Sequence, residues 1–171
     1  MSTLERVAPI LEKLAEKHTA GNDRIPCLEL EAREVAEAAA RLRNEAGFET
    51  CTFVTAVDRF PAEPRFEVLW QLHSLAAGDR IRLRARVPSS RPRVPTIVHL
   101  YPGAAYFERE CYDLFGVVFE GHPGLKRLLM PEEYGYFPLR KDFPHQGIEP
   151  DRLYREWDRR RRAGGPEGAT T

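Results

Sequence analysis

The segment FEVLWQLHSLAAGDRIRLRARV, residues 66–87, decides the fold class of this 171-residue sequence. It predicts two strands, Phe66–Leu75 and Ile81–Val87, because the short connection that contains Gly78 has the length and chemistry of a hairpin turn. In the second strand apolar residues alternate with arginines. That alternation is typical of an antiparallel sheet with one face on the core and the other in water.

The sequence on both sides of this hairpin predicts helices and further strands. In chain order these are a helix at 4–18, a strand at 25–30, a helix at 31–45 with Gly47 as its C-cap, a strand at 50–57 and, after the hairpin, a helix at about 103–115. The strands come as a run and do not alternate with helices. We therefore predict an α+β fold, a two-layer domain with helices packed on a small, mostly antiparallel or mixed sheet, followed by an extended C-terminal arm.

Three parts are predicted along the chain. They are an α+β domain at 1–115, an extended Pro/Gly-rich assembly arm at 116–150, and a last part at 151–171 that combines a charged helix, Asp151–Arg162, with a disordered tail. The arm mixes apolar residues, prolines and cations without helical or strand period, and it is too apolar for a disordered loop. Segments of this composition usually bury against another surface. We expect the arm alone to be largely unprotected from hydrogen exchange, and to become ordered and protected in a complex with a partner.

The composition is that of a soluble globular protein, with 26 Lys+Arg, 26 Asp+Glu and 42% hydrophobic residues, and it gives no general attraction to nucleic acid or anionic lipid. No apolar stretch approaches the roughly 20 residues that cross a bilayer, and the N-terminus lacks a signal peptide. We therefore expect a cytoplasmic protein with no direct membrane span. Cys27, Cys51 and Cys111 form no CxxC pair, which favours buried free thiols over a zinc or iron–sulfur site.

The densest cluster of reactive side chains lies in the third predicted helix. Glu108, Glu110 and Asp113 share neighbouring helix faces, so together with His122 they could serve a hydrolase or bind a metal. The alternative is an ion-paired helix. We favour it because the adjacent Arg109 should lower the pKa of these carboxyl groups instead of bringing one near neutrality. The histidines lack metal-binding spacing and are predicted to be structural; the four considered are His73, His99, His122 and His145.

The arginines of the hairpin raise another alternative. Those from Arg80 to Arg93 could form a basic surface for RNA, with aromatic side chains such as Tyr101 and Tyr106 stacking on bases. A water-exposed sheet face is the simpler interpretation. The balanced charge of the whole chain favours a protein partner, and we predict no nucleic-acid partner.

Two motifs, taken together, resemble a known family. The first joins Glu108-Arg109-Glu110 to Asp113-Leu114-Phe115 and then to His122, Lys126 and Leu128-Leu129, and the second is Pro138-Leu139-Arg140-Lys141-Asp142. Thr55–Asp58 and the hairpin resemble the family's central sheet. Over about residues 20–150, the chain is similar to the C subunits (the 30 kDa subunit family) of respiratory complex I, the proton-pumping NADH:quinone oxidoreductase.

This resemblance implies a non-redox core subunit in the peripheral arm of such a complex, on the cytoplasmic side of the inner (plasma) membrane. Its partners would be the quinone-binding large subunit, which is of the 49 kDa type and is also called the D subunit, and the iron–sulfur subunits. The chain itself would bind no cofactor, whereas the complex uses FMN, iron–sulfur clusters, NADH and quinone. An equivalent subunit of a related membrane-bound hydrogenase is the alternative that the motifs leave open.

The resemblance also implies that the motif residues position an interface and are not catalytic. These residues are Glu108, Arg109, Glu110, Asp113, His122, Pro123, Arg127, Pro138, Leu139, Arg140, Lys141 and Asp142. An independent hydrolase that uses Glu108, Glu110 and Asp113 is the competing hypothesis. It requires that these side chains converge on a pocket and that at least one carboxyl group has a raised pKa.

Overall fold

The computed structural model describes residues 3–11, 17–20 (backbone only), 23, 25–144, 155, 159, 160 and 162. The described elements are α1 (Thr3–Leu11), β1 (Lys17–Ala20), β2 (Pro26–Leu30), a 3₁₀ turn (Ala32–Glu34) that runs into α2 (Val35–Ala46), β3 (Thr50–Asp58), β4 (Phe66–Ser74), β5 (Asp79–Val87), β6 (Arg93–Pro95), α3 (Ala104–Phe115) and β7 (Val118–Glu120). Gly47 ends α2 in the left-handed conformation, as its predicted C-cap role requires.

The predicted hairpin of β4 and β5 lies inside a five-stranded sheet of order β1-β2-β5-β4-β3. Only the β2–β5 pair is parallel, so the sheet is mixed. β6 and β7 form a separate two-stranded parallel sheet. Helix α3 lies against β3, and α1 lies against α2. The predicted α+β class with helices on a small mixed sheet is confirmed.

One face of the sheet carries the core. Trp70 on β4 lies opposite Leu83 on β5, and both are fully buried. Val54 on β3 is paired with Trp70 and is buried with them. From α2, Ala38 and Leu42 join the same cluster at helical spacing. The alternation that predicted one buried face therefore holds.

On the opposite face, which was predicted to be exposed to water, Arg84 and Arg86 are paired with acids of neighbouring strands, whereas Arg80 is exposed. Arg84 Nη2 lies 2.9 Å from Glu29 Oε2, and Arg86 Nη2 lies 3.4 Å from Glu67 Oε2. Arg59 also donates to Glu67, which is only 3% exposed although it is charged. A strand register that places acids beside the arginines turns this face into an ion-pair layer. It is not a free basic strip of the kind that RNA binding requires.

The helix predicted at 4–18 is too long. Helix α1 ends at Leu11, and residues 17–20 form β1, which pairs antiparallel with β2. Pairing with a neighbouring strand supplies hydrogen bonds that a local helical pattern does not foresee. Of the predicted helix Asp151–Arg162, residues 155, 159, 160 and 162 are helical and the others lie outside the described residues, as do His145 and the predicted tail.

The predicted arm contains a strand that the sequence analysis missed. Residues 118–120 form β7, with Val94 of β6 opposite Phe119. Three residues are too few for a period to be recognised, and the pairing is with a strand more than twenty positions away along the chain. The division into 1–115, 116–150 and 151–171 stays a prediction.

None of the three cysteines forms a disulfide, as predicted. Cys27 and Cys111 are buried, whereas Cys51 is partly buried. Burial raises the pKa of Cys51 to about 12, and it raises the pKa of Cys111 as well. Thiols held in the protonated form are poor nucleophiles.

Candidate functional site

Asp113, near the end of α3, holds the backbone that follows β7. Its fully buried carboxylate accepts hydrogen bonds at Oδ2 from three consecutive N–H groups, those of Leu128 (2.9 Å), Leu129 (2.6 Å) and Met130 (2.9 Å). Arg127 Nη1 donates to Oδ1 at 2.8 Å. Burial disfavours the charged form of Asp113 and would raise its pKa. The hydrogen-bond donors favour the charged form more strongly, and they hold the pKa of Asp113 below its ordinary value. We call this arrangement the Asp113 clasp.

Arg109 does not pair with the carboxylates of its own helix. Its Nε donates to the carbonyl of Lys126 at 3.2 Å and its Nη2 to the carbonyl of Arg127 at 2.9 Å. Its guanidinium also stacks over the ring of Tyr106. Arg109 therefore fixes the carbonyl side of the segment whose N–H side Asp113 holds.

Glu108 lies on the inner side of α3 and is fully buried. Its Oε1 accepts the N–H of Ile97 at 2.9 Å, and its Oε2 accepts the hydroxyl of Thr96. Desolvation raises its pKa to about 7. The expectation that Arg109 lowers the pKa of the neighbouring carboxyl groups is therefore wrong for Glu108, because the guanidinium points to a different set of atoms.

His122 and its neighbours form a turn that contacts the start of α3. The ring Nε2 lies 3.2 Å from the carbonyl of Ala105, and Nδ1 accepts the N–H of Gly124 at 3.0 Å. Both ring nitrogens are therefore used within the chain, as the structural role predicted for His122 requires. Pro123 in the same turn is exposed, and so is Glu110 on α3.

Arg65, directly before β4, joins the sheet to the second motif. Its guanidinium donates to both oxygens of Asp58 (2.9 and 2.7 Å) and to both oxygens of Asp142 (2.9 and 2.7 Å). The N–H of Lys141 adds a 2.8 Å bond to Asp58. Burial disfavours the charge of Asp58, but Arg65 and the Lys141 N–H hold its pKa at about 2. We call Asp58, Arg65 and Asp142 the Arg65 bridge.

The sequence analysis missed Arg65. Its partners are 7 and 77 positions away along the chain, so no local spacing reveals the bridge. The available signal was chemical, since the Asp of the second motif needed a cation from outside its own segment. A buried Asp58 at the end of β3 was the other half of that signal.

The second motif lies against the end of α3. Leu139 N–H donates to the carbonyl of Leu114 at 3.1 Å, and Arg140 Nε donates to the carbonyl of Phe115 at 2.6 Å. The Arg140 guanidinium stacks on the ring of Phe137, 4.3 Å from its centroid. Leu139 and Lys141 expose their side chains, whereas Pro138 is partly buried. Beside them is a cleft of about 390 Å³ lined by Tyr136, Phe137, Arg140, Asp142 and Phe143, among others.

The side chains of the competing hydrolase hypothesis do not converge on this cleft. Glu108 and Asp113 are engaged with different partners, Glu110 is exposed, and none of the three lines the cleft. In the described part of the chain, no group of three His, Cys, Asp or Glu residues could hold a metal ion. None of the helices described there is both long and apolar enough to cross a membrane.

Sequence comparisons place the chain among respiratory proteins. A family model described as "Respiratory-chain NADH dehydrogenase, 30 Kd subunit" matches residues 28–149. The C subunit of the NADH-quinone oxidoreductase of Salinispora tropica is 36% identical over 148 residues, which cover 85% of this chain and 60% of that protein. The same subunit of Herpetosiphon aurantiacus is 42% identical over 120 residues, 69% of this chain and 70% of the relative. The chain therefore matches less than two thirds of the Salinispora protein.

Solved structures agree with the sequence comparisons. The trypsin-resistant fragment (1-134) of Nqo5 has a TM-score of 0.58 and 30% identity, covering 70% of this chain and 99% of the fragment. A chain of the membrane-bound sulfane sulfur reductase, an archaeal respiratory membrane complex, has a TM-score of 0.72 and 26% identity and covers 90% of both chains. The family match includes both motifs and the residues of the Asp113 clasp and the Arg65 bridge. The chain therefore belongs to the family of 30 kDa subunits of the respiratory-chain NADH dehydrogenase.

Proposed function

We propose that the chain is a non-redox core subunit of the peripheral arm of a complex I-type NADH:quinone oxidoreductase. In this role it positions the quinone-binding large subunit and the iron–sulfur subunits for electron transfer from NADH to quinone coupled to proton translocation. The observation that carries the proposal is the family match over residues 28–149, which begins within β2 and includes β3, β4, β5 and both motifs.

The geometry supports a positioning role. The Asp113 clasp and Arg109 fix residues 126–130 from both sides, and the Arg65 bridge fixes residues 141 and 142. Between these anchors the chain exposes apolar side chains, with Leu129 61% and Leu139 52% exposed. A rigid backbone that presents apolar side chains to solvent is typical of a protein interface.

The partners, cofactors and location follow from the same proposal. The large subunit of the 49 kDa type and the iron–sulfur subunits are the expected neighbours, and FMN and the iron–sulfur clusters belong to other subunits of the complex. The chain would lie on the cytoplasmic side of the membrane, attached through its neighbours.

The test is co-purification of the tagged chain from membranes of its native host. We expect the tagged chain to bring the subunits of an NADH:quinone oxidoreductase and its NADH-dependent quinone reduction. Replacing the exposed Leu129 by Gln should lower the recovery of the other subunits roughly tenfold or more, because burying a leucine side chain at an interface contributes about 1.5 kcal/mol or more.

Leu75→Gln is the matched control, since Leu75 is 65% exposed in the β4–β5 connection, away from both motifs. It should leave recovery unchanged. Equal loss in L129Q and L75Q would contradict the proposed interface. Recovery of the tagged chain without any oxidoreductase subunit would contradict the proposed function itself.

The likeness to a chain of the membrane-bound sulfane sulfur reductase supports a second candidate, the equivalent subunit of a related respiratory membrane complex. The membrane-bound hydrogenase that the motifs left open is of this kind. The same purification separates the candidates. NADH oxidation by the recovered complex supports the first, and a complex that reduces another substrate without oxidising NADH supports the second.

A further inference from the structure

Two arginines of this region bind carboxylates, whereas Arg109 and Arg140 bind backbone carbonyls, Arg109 through two of its nitrogens and Arg140 through one. Arg127 pairs with Asp113, and Arg65 pairs with Asp58 and Asp142. Arg140 donates only through Nε, to the carbonyl of Phe115, within the described part of the chain. Its terminal amino groups are left for a partner outside those residues.

The guanidinium of Arg140 is held in one orientation. It lies over two aromatic rings, 5.0 Å from the centroid of Phe66 and 4.3 Å from that of Phe137. Gly116 packs against it, because a Cβ atom there would overlap the guanidinium and would lie 2.8 Å from Phe137 Cζ. Stacking on aromatic rings uses the face of a guanidinium and not its edge, and that edge matches a carboxylate bidentately.

The carboxylates nearest to this residue are bound by Arg65. Its guanidinium donates to both oxygens of Asp58 and of Asp142, and its N–H donates to Glu63, so none of these acids accepts a hydrogen bond from the Arg140 guanidinium. Burial and the nearby charge of Arg65 lower the pKa of Arg140 more than Asp142 and Asp58 raise it, so an added anion would be stabilised there. One guanidinium edge fits a singly charged carboxylate better than a phosphate, which commonly needs several cations.

We propose that the cleft at Tyr136–Pro144 receives an acidic residue of a neighbouring subunit, whose carboxylate binds the free edge of the Arg140 guanidinium. This inference rests on the proposed function, since it names the chemistry of one contact in the assembly. Arg140 would then be a specificity-determining residue of the interface. Asp142, in the same motif, serves the chain's own fold through Arg65.

The test is zero-length cross-linking of the assembled complex. Arg140→Lys places a primary amine at the cleft, and K141R in the same chain removes the neighbouring natural amine. A carbodiimide joins an amine to a carboxylate only when the two are in contact. We expect mass spectrometry to find position 140 linked to an Asp, Glu or C-terminal carboxylate of another subunit.

The K141R chain with Arg140 intact is the control and should give no link at position 140. A link confined to the same chain, for example to Asp142, Glu149 or Asp151, would overturn the proposal, and so would the absence of any link. If the proposed function is wrong, the tagged wild-type chain co-purifies with no oxidoreductase subunits. That failure is seen before any cross-linking, so it is distinguishable from a failure of the Arg140 proposal.

A second measurement does not depend on the lysine variant. Arg140→Gln and Lys141→Gln each remove one positive charge from adjacent positions, and the thermal unfolding of each chain alone shows whether it folds. In the complex, R140Q should weaken binding roughly ten- to hundredfold, the value of a charge-assisted hydrogen-bonded pair, whereas K141Q should change it less than about threefold. Equal effects of the two variants would overturn the proposal.

Discussion

Asp113 shows how one buried carboxylate can take the place of secondary structure. Residues 128–130 belong to no helix or strand, and their N–H groups still need acceptors because they are partly withdrawn from water. A single oxygen of Asp113 accepts all three. The negative charge is needed for this geometry, since three donors converge on one atom and Arg127 lies beside it.

Replacing Asp113 by Asn should therefore lower the free energy of unfolding by about 3 kcal/mol, because the amide loses the charge and directs hydrogens at existing donors. Urea denaturation of the purified chain measures this change. Glu110→Gln is the matched control, an exposed carboxylate on the same helix, and should change stability by less than about 0.5 kcal/mol. Similar values for D113N and E110Q would show that the clasp does not hold the fold.

The raised pKa of Glu108 predicts that its contribution to stability falls as pH rises. A carboxylate whose pKa is lowered has the opposite pH dependence. Its pKa is about 7 in the folded chain against an ordinary value of 4.5, so between these pH values the folded state keeps a proton that the unfolded state loses. Its contribution to stability is complete below pH 4.5 and is lost as pH rises to about 7. The difference in unfolding free energy between wild type and Glu108→Gln should thus fall by about 3 kcal/mol over this range.

Urea denaturation of both chains at pH 5, 6, 7 and 8 measures this difference. Subtracting the Gln variant removes the titration of the other groups, including the carboxylates whose pKa is lowered. Those carboxylates, such as Asp58 with a pKa of about 2, lose their stabilising contribution only as pH falls well below 4. A difference that does not change with pH would contradict the raised pKa of Glu108.

At the residue scale, the sequence indicated which side chains matter better than it indicated their partners. Glu108, Arg109 and Asp113 were all singled out, but helical spacing suggested that they pair with one another. Each binds a segment distant in sequence. Spacing along a helix reports neighbours on that helix, whereas a buried charge binds whatever donor the fold brings to it.

Gly116 ends α3 in a left-handed conformation with a φ of 75°, and the second motif packs directly on it. Gly116→Ala should destabilise the chain by about 1 kcal/mol from backbone strain and by more from the displacement of Phe137 and Arg140. Thermal unfolding measures the sum of the two effects. Alanine substitutions at two other glycines separate the backbone strain from the displacement of side chains.

Gly47→Ala carries the strain alone, because its φ is 70° and the nearest atom to an added Cβ, the Ser74 hydroxyl, lies 3.9 Å away. Gly103→Ala carries neither effect, since Gly103 has a φ of −63° and nothing within 4 Å. The expected order of destabilisation is G116A, then G47A, then G103A. Equal values for G116A and G47A would mean that the second motif does not pack on α3.

At the element scale, the strength of the local pattern decided what could be predicted. The β4–β5 hairpin, β3, α2 and α3 each have a clear period and a turn or cap residue, and all are found within a few residues of their predicted ends. The segment at Lys17–Ala20 and β7 have neither. Their structure comes from pairing with β2 and β6, which a single sequence does not display.

For the whole molecule, the sequence balances 26 cations with 26 acidic residues, and in the described part of the chain several of them pair locally. The arginine face of the sheet is matched by Glu29 and Glu67, and the segment after β7 is matched by Asp113 and Asp58. These charges are therefore used within the fold. Arg140 lies among them, and its terminal amino groups bind no carboxylate in the described part of the chain, which is why it carries information about the interface.

The same pairing changes the expectation for the predicted arm, because residues 128–130, 139 and 141 donate their N–H groups to the chain's own α3 and β3. We now expect these amides to be protected in the full chain alone, exchanging roughly a hundredfold more slowly than unstructured amides in NMR hydrogen exchange. Asp113→Asn should remove protection at 128–130 and leave it at 139 and 141, since those two bind Leu114 and Asp58. The contrary result would be amides that are unprotected throughout the segment in the wild-type chain and gain protection only in the complex. The segment would then be an arm that is ordered by a partner, as its composition indicates.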